Sequence, residues 1–177
     1  MRTRILSIAL AASLIGLSAA SLAQTESSKA AKAAAEQARA TSPPASAMSG
    51  GMRSVATEDA PSVAGPYSQA VVAGGFLFAA GQVNRDPKTK QFVTTTFEAS
   101  VDRVLDNLEA VLKADGLTWA DVIKTTVYLT KADDFAALNT VYAKRMGDVK
   151  PARSTVIVAA LPGGAALEID LVAKARR

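Results

Sequence analysis

The sequence predicts a single α+β domain, a mixed β-sheet with two helices packed on one face. Three observations predict it. A helical stripe of apolar residues runs from Thr96 to Ala114, and a second, shorter one spans Ala132 to Arg145. Short runs rich in branched and aromatic residues flank and separate them in the order ββαβαββ. A length of 177 residues leaves room for one ordinary domain once an atypical N-terminus is set aside.

The elements follow in order from about Ser54. Gln69-Ala-Val-Val-Ala and Phe76-Leu-Phe-Ala-Ala are apolar runs separated by Gly74-Gly75, which reads as a β-hairpin. Asp86-Pro-Lys-Thr-Lys90 reads as a turn. In the first helix Phe97, Val101, Val104, Leu105, Leu108, Val111 and Leu112 form the inward stripe, and Gly116 closes it. Val122 to Leu129 favours a strand. The second helix places Phe135, Leu138, Val141 and Tyr142 inward, and two further strands are expected at Arg153 to Val158 and Leu167 to Lys174. A small sheet covered on one face leaves the other to be buried by oligomerisation or left wet.

Residues 1–23 have the pattern of a secretory signal peptide: Arg2 and Arg4, an apolar core from Ile5 to Leu17, then small residues ending at Ala23. The core is short for a membrane span, although an uncleaved anchor is the other reading. With no cysteine in the chain there is no acyl-acceptor for a lipoprotein. Residues 24–53 shift to Ala, Ser, Lys, Gln, Pro and Gly, too few apolar groups to offset ordering entropy, and are expected to form a disordered linker. The domain itself is assigned to residues 54–177, and a periplasmic or secreted location follows from the leader, with membrane contact only during export.

Composition removes whole classes of chemistry. There is no histidine and no cysteine, so thiol nucleophiles, imidazole bases and His/Cys metal sites are excluded. The net charge of +4 lies outside the domain, because residues 54–177 carry fourteen basic and fourteen acidic groups. A neutral domain offers no basic footprint for nucleic acid.

Four polar features lie at the edges of the expected strands: Gly65-Pro-Tyr-Ser-Gln69, Gly81-Gln82, Pro151-Ala-Arg-Ser-Thr155 and Glu168-Ile-Asp170. Arg153 stands at the mouth of an apolar run and offers a planar fork of donors suited to a carboxylate. Its partner is either a ligand or an acid of the same chain. Glu168 and Asp170, two apart on a strand, face one side while Leu167, Ile169 and Leu171 face the other. That pair is either a solvated sheet face or part of a site. Gly81 either permits a bend or borders a pocket.

Taken together, these features resemble the Rid family, the reactive intermediate deaminases also called YjgF-type proteins. The likeness spans Thr57 to Arg177 and rests on Ala60-Pro61, Gly65-Pro-Tyr-Ser-Gln-Ala70, Gly81-Gln82, Asp86-Pro-Lys-Thr89, Asp106-Asn-Leu108, Val122 to Leu129, Phe135…Asn139…Tyr142, Pro151-Ala-Arg-Ser-Thr155, Leu161-Pro162 and Glu168-Ile169. It implies a chorismate-mutase-like fold, a homotrimer with clefts between subunits, and hydrolysis of 2-iminobutanoate, 2-iminopropanoate and similar imino acids to 2-oxo acids and ammonia. It implies no cofactor and no metal. By the same resemblance Arg153 clamps the substrate carboxylate, Tyr67, Gly81, Thr155 and Asn139 border the ligand, and Asp170 holds the attacking water.

An imine is already reactive, so such a site needs orientation, a positioned water and a route for protons, all within reach of a histidine-free chain. Three residues depart from the family pattern. Asp170 stands where active deaminases commonly carry Glu, Ala80 replaces a serine before Gly81, and Arg145-Met146 replaces aromatics. A non-catalytic module binding small carboxylates in the same cleft is the competing expectation.

Overall fold

A computed structural model describes residues 51–176, of which 51–63 and 67–176 form one compact unit. The expected leader and residues 24–50 of the expected linker lie outside the described residues. The elements are β1 (Arg53–Val55), β2 (Ala70–Ala73), β3 (Phe76–Val83), α1 (Phe97–Ala114), β4 (Val122–Leu129), α2 (Phe135–Met146), β5 (Ala152–Ile157) and β6 (Leu167–Lys174). All six strands join one sheet in the order β1-β2-β3-β6-β4-β5. Only β4 and β5 pair in parallel, because α2 carries the chain back between them; the other neighbours are antiparallel, making the sheet mixed.

Helix α1 shows how local sequence sets an element. Thr96 caps its N-terminus by accepting from the Ala99 amide at 3.1 Å. At the other end Gly116 takes φ 69°, and the amide of Leu117 reaches back to the Leu112 carbonyl at 2.9 Å. Leu117 is thereby turned into the core, where it is buried with Leu112. The α1 stripe of Val101, Val104, Leu105, Leu108, Val111 and Leu112 is fully buried, against Leu77, Val127, Leu129, Leu167, Ile169 and Leu171 of the sheet. Asn107, in the same helix, donates to the carbonyls of Val83 and Arg85 at 3.0 and 2.9 Å and ties the end of β3 to α1.

Four expectations need correction. Arg53, placed in the linker, belongs to β1, and its guanidinium pairs with Asp115 at 2.5 Å. Three residues are too few for a periodicity to register. The second helix begins at Phe135, preceded by a single 3-10 turn at Ala132–Asp134. Phe135, expected in the core, is 43% exposed, whereas Leu138, Val141 and Tyr142 are buried as the stripe requires. Finally, β5 begins and ends one residue earlier than expected, at Ala152–Ile157.

The Arg145-Met146 departure has a packing solution. Met146 is buried, and Arg145 spans the helix pair to meet Asp102, Asp106 and Glu109 of α1 at 3.2, 2.8 and 3.2 Å. An ion-pair cluster thus joins the middle of α1 to the C-terminal end of α2.

Candidate functional site

Alternation along the strands assigns each polar residue to a face. Thr125, Val127 and Leu129 of β4 are buried beneath the helices, so Thr126 and Tyr128 point to the open face. Register then carries the assignment outward: Arg153 and Thr155 of β5 lie opposite Thr125 and Val127, on the helix side, while Asp170 and Glu168 of β6 lie opposite Thr126 and Tyr128, on the open side. The predicted site residues therefore form two groups with the sheet between them.

The helix-side group sits at the free edge made by β5. Arg153 donates from Nη2 to Asn139 Oδ1 at 2.6 Å. Its guanidinium carbon lies 4.7 Å from the Tyr142 ring centroid and 5.9 Å from that of Phe135. Phe135, Asn139 and Tyr142 fall at i, i+4 and i+7 of α2, one face of the helix, which explains why all three reach the same arginine. The exposed Phe135 is thus accounted for as a wall of the arginine site. Tyr142 exchanges a 2.8 Å hydrogen bond with Thr125, and burial pushes its phenol above the usual range despite that bond and the Arg153 charge. Thr155, two residues beyond Arg153 on the same face, has a hydroxyl out of solvent with no hydrogen-bond partner among the described residues. Among the described residues no carboxylate forms an ion pair with Arg153.

The open-side group centres on β6. Tyr128 donates its hydroxyl to Asp170 Oδ2 at 3.1 Å, a diagonal cross-strand pair, and that bond raises the phenol's pKa. Glu168 lies against Gly81 of β3, at a bulge between Ala79 and Gln82. A Cβ at residue 81 would fall on the Glu168 carboxylate, so glycine is needed for space rather than for an unusual φ. Burial, followed by the charge of Asp170, raises the pKa of Glu168.

Two other motif residues have structural work. Gln69 is buried, accepts from the Thr57 amide at 2.6 Å and donates to the carbonyls of Thr57, Ala60 and Pro61, so it pins the segment leading to Tyr67. Tyr67 itself is 51% exposed, ahead of β2. Ala80 bonds the Gln69 carbonyl through its amide at 2.9 Å, a contact independent of the side chain lost there. The sequence reading did not find Tyr128 as the partner of Asp170, nor Phe135 and Tyr142 as the platform of Arg153. The helical spacing of Phe135, Asn139 and Tyr142 was the available signal for the latter; the former depends on strand register.

Known proteins resemble the chain over nearly the whole of the described domain. The family model described as Endoribonuclease L-PSP matches residues 57–175. A RutC family protein of Pyrococcus horikoshii is 49% identical over 117 residues, covering 66% of this chain and 93% of that protein. Reactive Intermediate Deaminase A, a chloroplastic protein of Arabidopsis thaliana, is 43% identical over 119 residues, 67% of this chain and 64% of that one. The crystal structure of E. coli TdcF with bound serine superimposes with a TM-score of 0.66 at 35% identity, covering 70% of this chain and 98% of that one. The chain belongs to the Rid family and has its chorismate-mutase-like fold.

Proposed function

We propose that this protein is an exported deaminase that hydrolyses small 2-imino acids, or their enamine tautomers, to 2-oxo acids and ammonia, with 2-iminobutanoate and 2-iminopropanoate as the model substrates. The observation that carries the reading is Arg153, oriented by Asn139 and two aromatic rings and paired with no described acid. A guanidinium so held is prepared for a bidentate carboxylate. The relatives support the same chemistry: one carries deaminase in its name, and another has been seen with serine, a small amino acid bearing the same carboxylate.

The working unit in this proposal is a homotrimer. Arg153 with Asn139 and Thr155 would face Gly81, Tyr67 and Asp170 of a neighbouring copy, which resolves their separation by the sheet. The open face supports it, since Phe76 and Phe78 are 40% and 48% exposed and lie with tilted rings 6.5 Å apart between centroids, while Val156 is 42% exposed on the same side. Within the cleft Arg153 clamps the carboxylate and Asp170 holds the water opposite the imine carbon. The leader-like pattern of residues 1–23 supports a location in the periplasm or outside the cell.

Purified protein is expected to accelerate release of 2-oxo acid and ammonia from 2-iminobutanoate generated enzymatically, and Arg153→Ala to abolish the acceleration mainly through KM. A rate equal to the spontaneous one overturns the proposal. One observation favours a second reading, a binding module without turnover: Asp170 is one methylene shorter than the family acid and is already engaged by Tyr128. Small carboxylates that bind in an Arg153-dependent way, with no turnover across a panel of imines, would establish it. A ribonuclease role has less support, because the domain's fourteen basic groups are balanced by fourteen acidic ones.

A further inference from the structure

A cavity of about 240 Å³ lies where β3 and β4 end and β6 begins. Asn84 and Phe92 come to it from the segment after β3, Phe97 from the first turn of α1, and Lys131 and Asp134 from the turn between β4 and α2. None of the residues of the proposed deaminase site lines it. Arg153 stands opposite Thr125 of β4, whereas this cavity lies past Leu129, about 13 Å further along the strand.

Its walls carry polar groups of both signs that lack partners among the described residues. Asn84 is 1% exposed, and its Nδ2 donates to the Val93 carbonyl at 2.6 Å and to Ser100 Oγ at 3.2 Å. Those two bonds fix which end of the amide is oxygen, and that oxygen, Oδ1, is buried with no donor. A buried acceptor left so is costly, and the cavity beside it calls for a donor. Asp134 precedes α2, yet its carboxylate neither caps the helix nor enters an ion pair. Lys131, which is exposed, meets no carboxylate either. At the start of α1 the Thr96 hydroxyl serves the Ala99 amide, which leaves the amides of Phe97 and Glu98 without acceptors at the positive end of the helix.

We propose that this cavity binds a free α-amino acid with a small apolar side chain. Its ammonium lies between Asp134 and Asn84 Oδ1, its carboxylate between Lys131 and the first turn of α1, and its side chain against Phe92 and Phe97. A bare anion would leave Asn84 Oδ1 without a donor and would face Asp134. A bare amine would face Lys131 and the positive end of α1. A ligand that carries both charges answers both sets of groups. The cavity is smaller than the ~300–1,000 Å³ of ordinary ligand sites, which restricts the occupant to a small molecule. The site stands whether or not the arginine cleft is catalytic.

The test is titration calorimetry of L-valine into the purified protein and its Arg153→Ala, Lys131→Ala and Asp134→Asn variants, with isobutylamine and isovalerate as the two halves of the ligand. L-valine is expected to bind wild type and Arg153→Ala with the same Kd. Lys131→Ala and Asp134→Asn should each weaken it about 10-fold, as loss of a charge-assisted hydrogen bond does, with urea midpoints unchanged. Each half-ligand should bind wild type more weakly than valine by about the same factor. In amide NMR spectra the Asn84 side-chain NH2 and the amides of Phe97 and Glu98 should shift as valine is added, in wild type and in Arg153→Ala alike. Absence of both heat and shifts up to the solubility of valine overturns the proposal. Binding that vanishes in Arg153→Ala and survives in the other two variants assigns the amino acid to the arginine cleft and overturns it too. Equal affinity for valine and for either half shows a site that reads one charge, which is a third way for it to fail.

Discussion

The two faces of the sheet share a backbone and differ in almost everything else. Beneath the helices, Leu77, Val127, Leu129, Leu167 and Ile169 are fully buried, and Thr125, the polar group among them, is matched by Tyr142. On the open side the same strands present Glu168, Asp170, Thr126 and Tyr128 beside the exposed Phe76 and Phe78. Packing is concentrated on the first face, and the second carries the ionisable groups of β6. Arg153 is the exception: it belongs to the helix side yet sits at the edge strand, where its charged head lies over the Tyr142 ring. A sheet edge is the place where the two faces can be brought into one site by another copy.

Residues 168 and 169, adjacent in the chain, give the largest contrast. Ile169→Ala opens a cavity under α1 and is expected to cost about 2–5 kcal/mol, read as a lower urea midpoint, with activity lost only as the protein unfolds. Glu168→Gln, one residue away, is expected to leave that midpoint close to wild type while lowering kcat. A large loss of stability from both would break the division between faces.

Gly81→Ala tests the open face from the opposite strand. The added methyl meets the end of a flexible side chain, so Glu168 swings aside, and stability is expected to fall by about 1 kcal/mol, the low end of overpacking. The larger effect should be on turnover, with kcat falling toward that of Glu168→Gln. Near wild-type kcat in Gly81→Ala, measured beside its denaturation midpoint, would show that the position of the carboxylate does not matter.

The smallest effect is a dependence on pH. Glu168 has a folded-state pKa above its ordinary value, 4.5, so the folded state holds its proton more tightly than the unfolded chain does. The sign follows: this contribution is fully present below the unfolded value and is lost as pH rises through the folded one. The stability of wild type relative to Glu168→Gln should therefore decline across that interval and level off above it. Denaturation midpoints of both proteins measured at matched pH values check the trend, and a difference that does not change with pH would place Glu168 in ordinary solvent.

The elements were legible in the sequence to the extent that their signals are local. The helix from Thr96, its glycine stop, and the strands Val122–Leu129 and Leu167–Lys174 depend on periodicity, capping and branching, all readable within a few residues. The alternation of Glu168 and Asp170 against Leu167, Ile169 and Leu171 was readable for the same reason, since a strand's period is two. β1 was not, because three residues at a sheet margin carry no pattern of their own and are held by pairing with β2.

Sequence by itself thus determined the composition of the candidate site: an arginine without histidine or cysteine beside it, two acids on one strand face, and a glycine where other residues would do for a strand. Tertiary structure alone decided which of these meet. Register between β4 and β6 put Tyr128 on Asp170, the bulge in β3 put Gly81 under Glu168, and the return of α2 over β5 put Asn139, Phe135 and Tyr142 on Arg153. The physical reason is that side-chain direction is a local property of the backbone, whereas neighbourhood across a sheet depends on pairings between segments 14 or more residues apart, which no local pattern encodes.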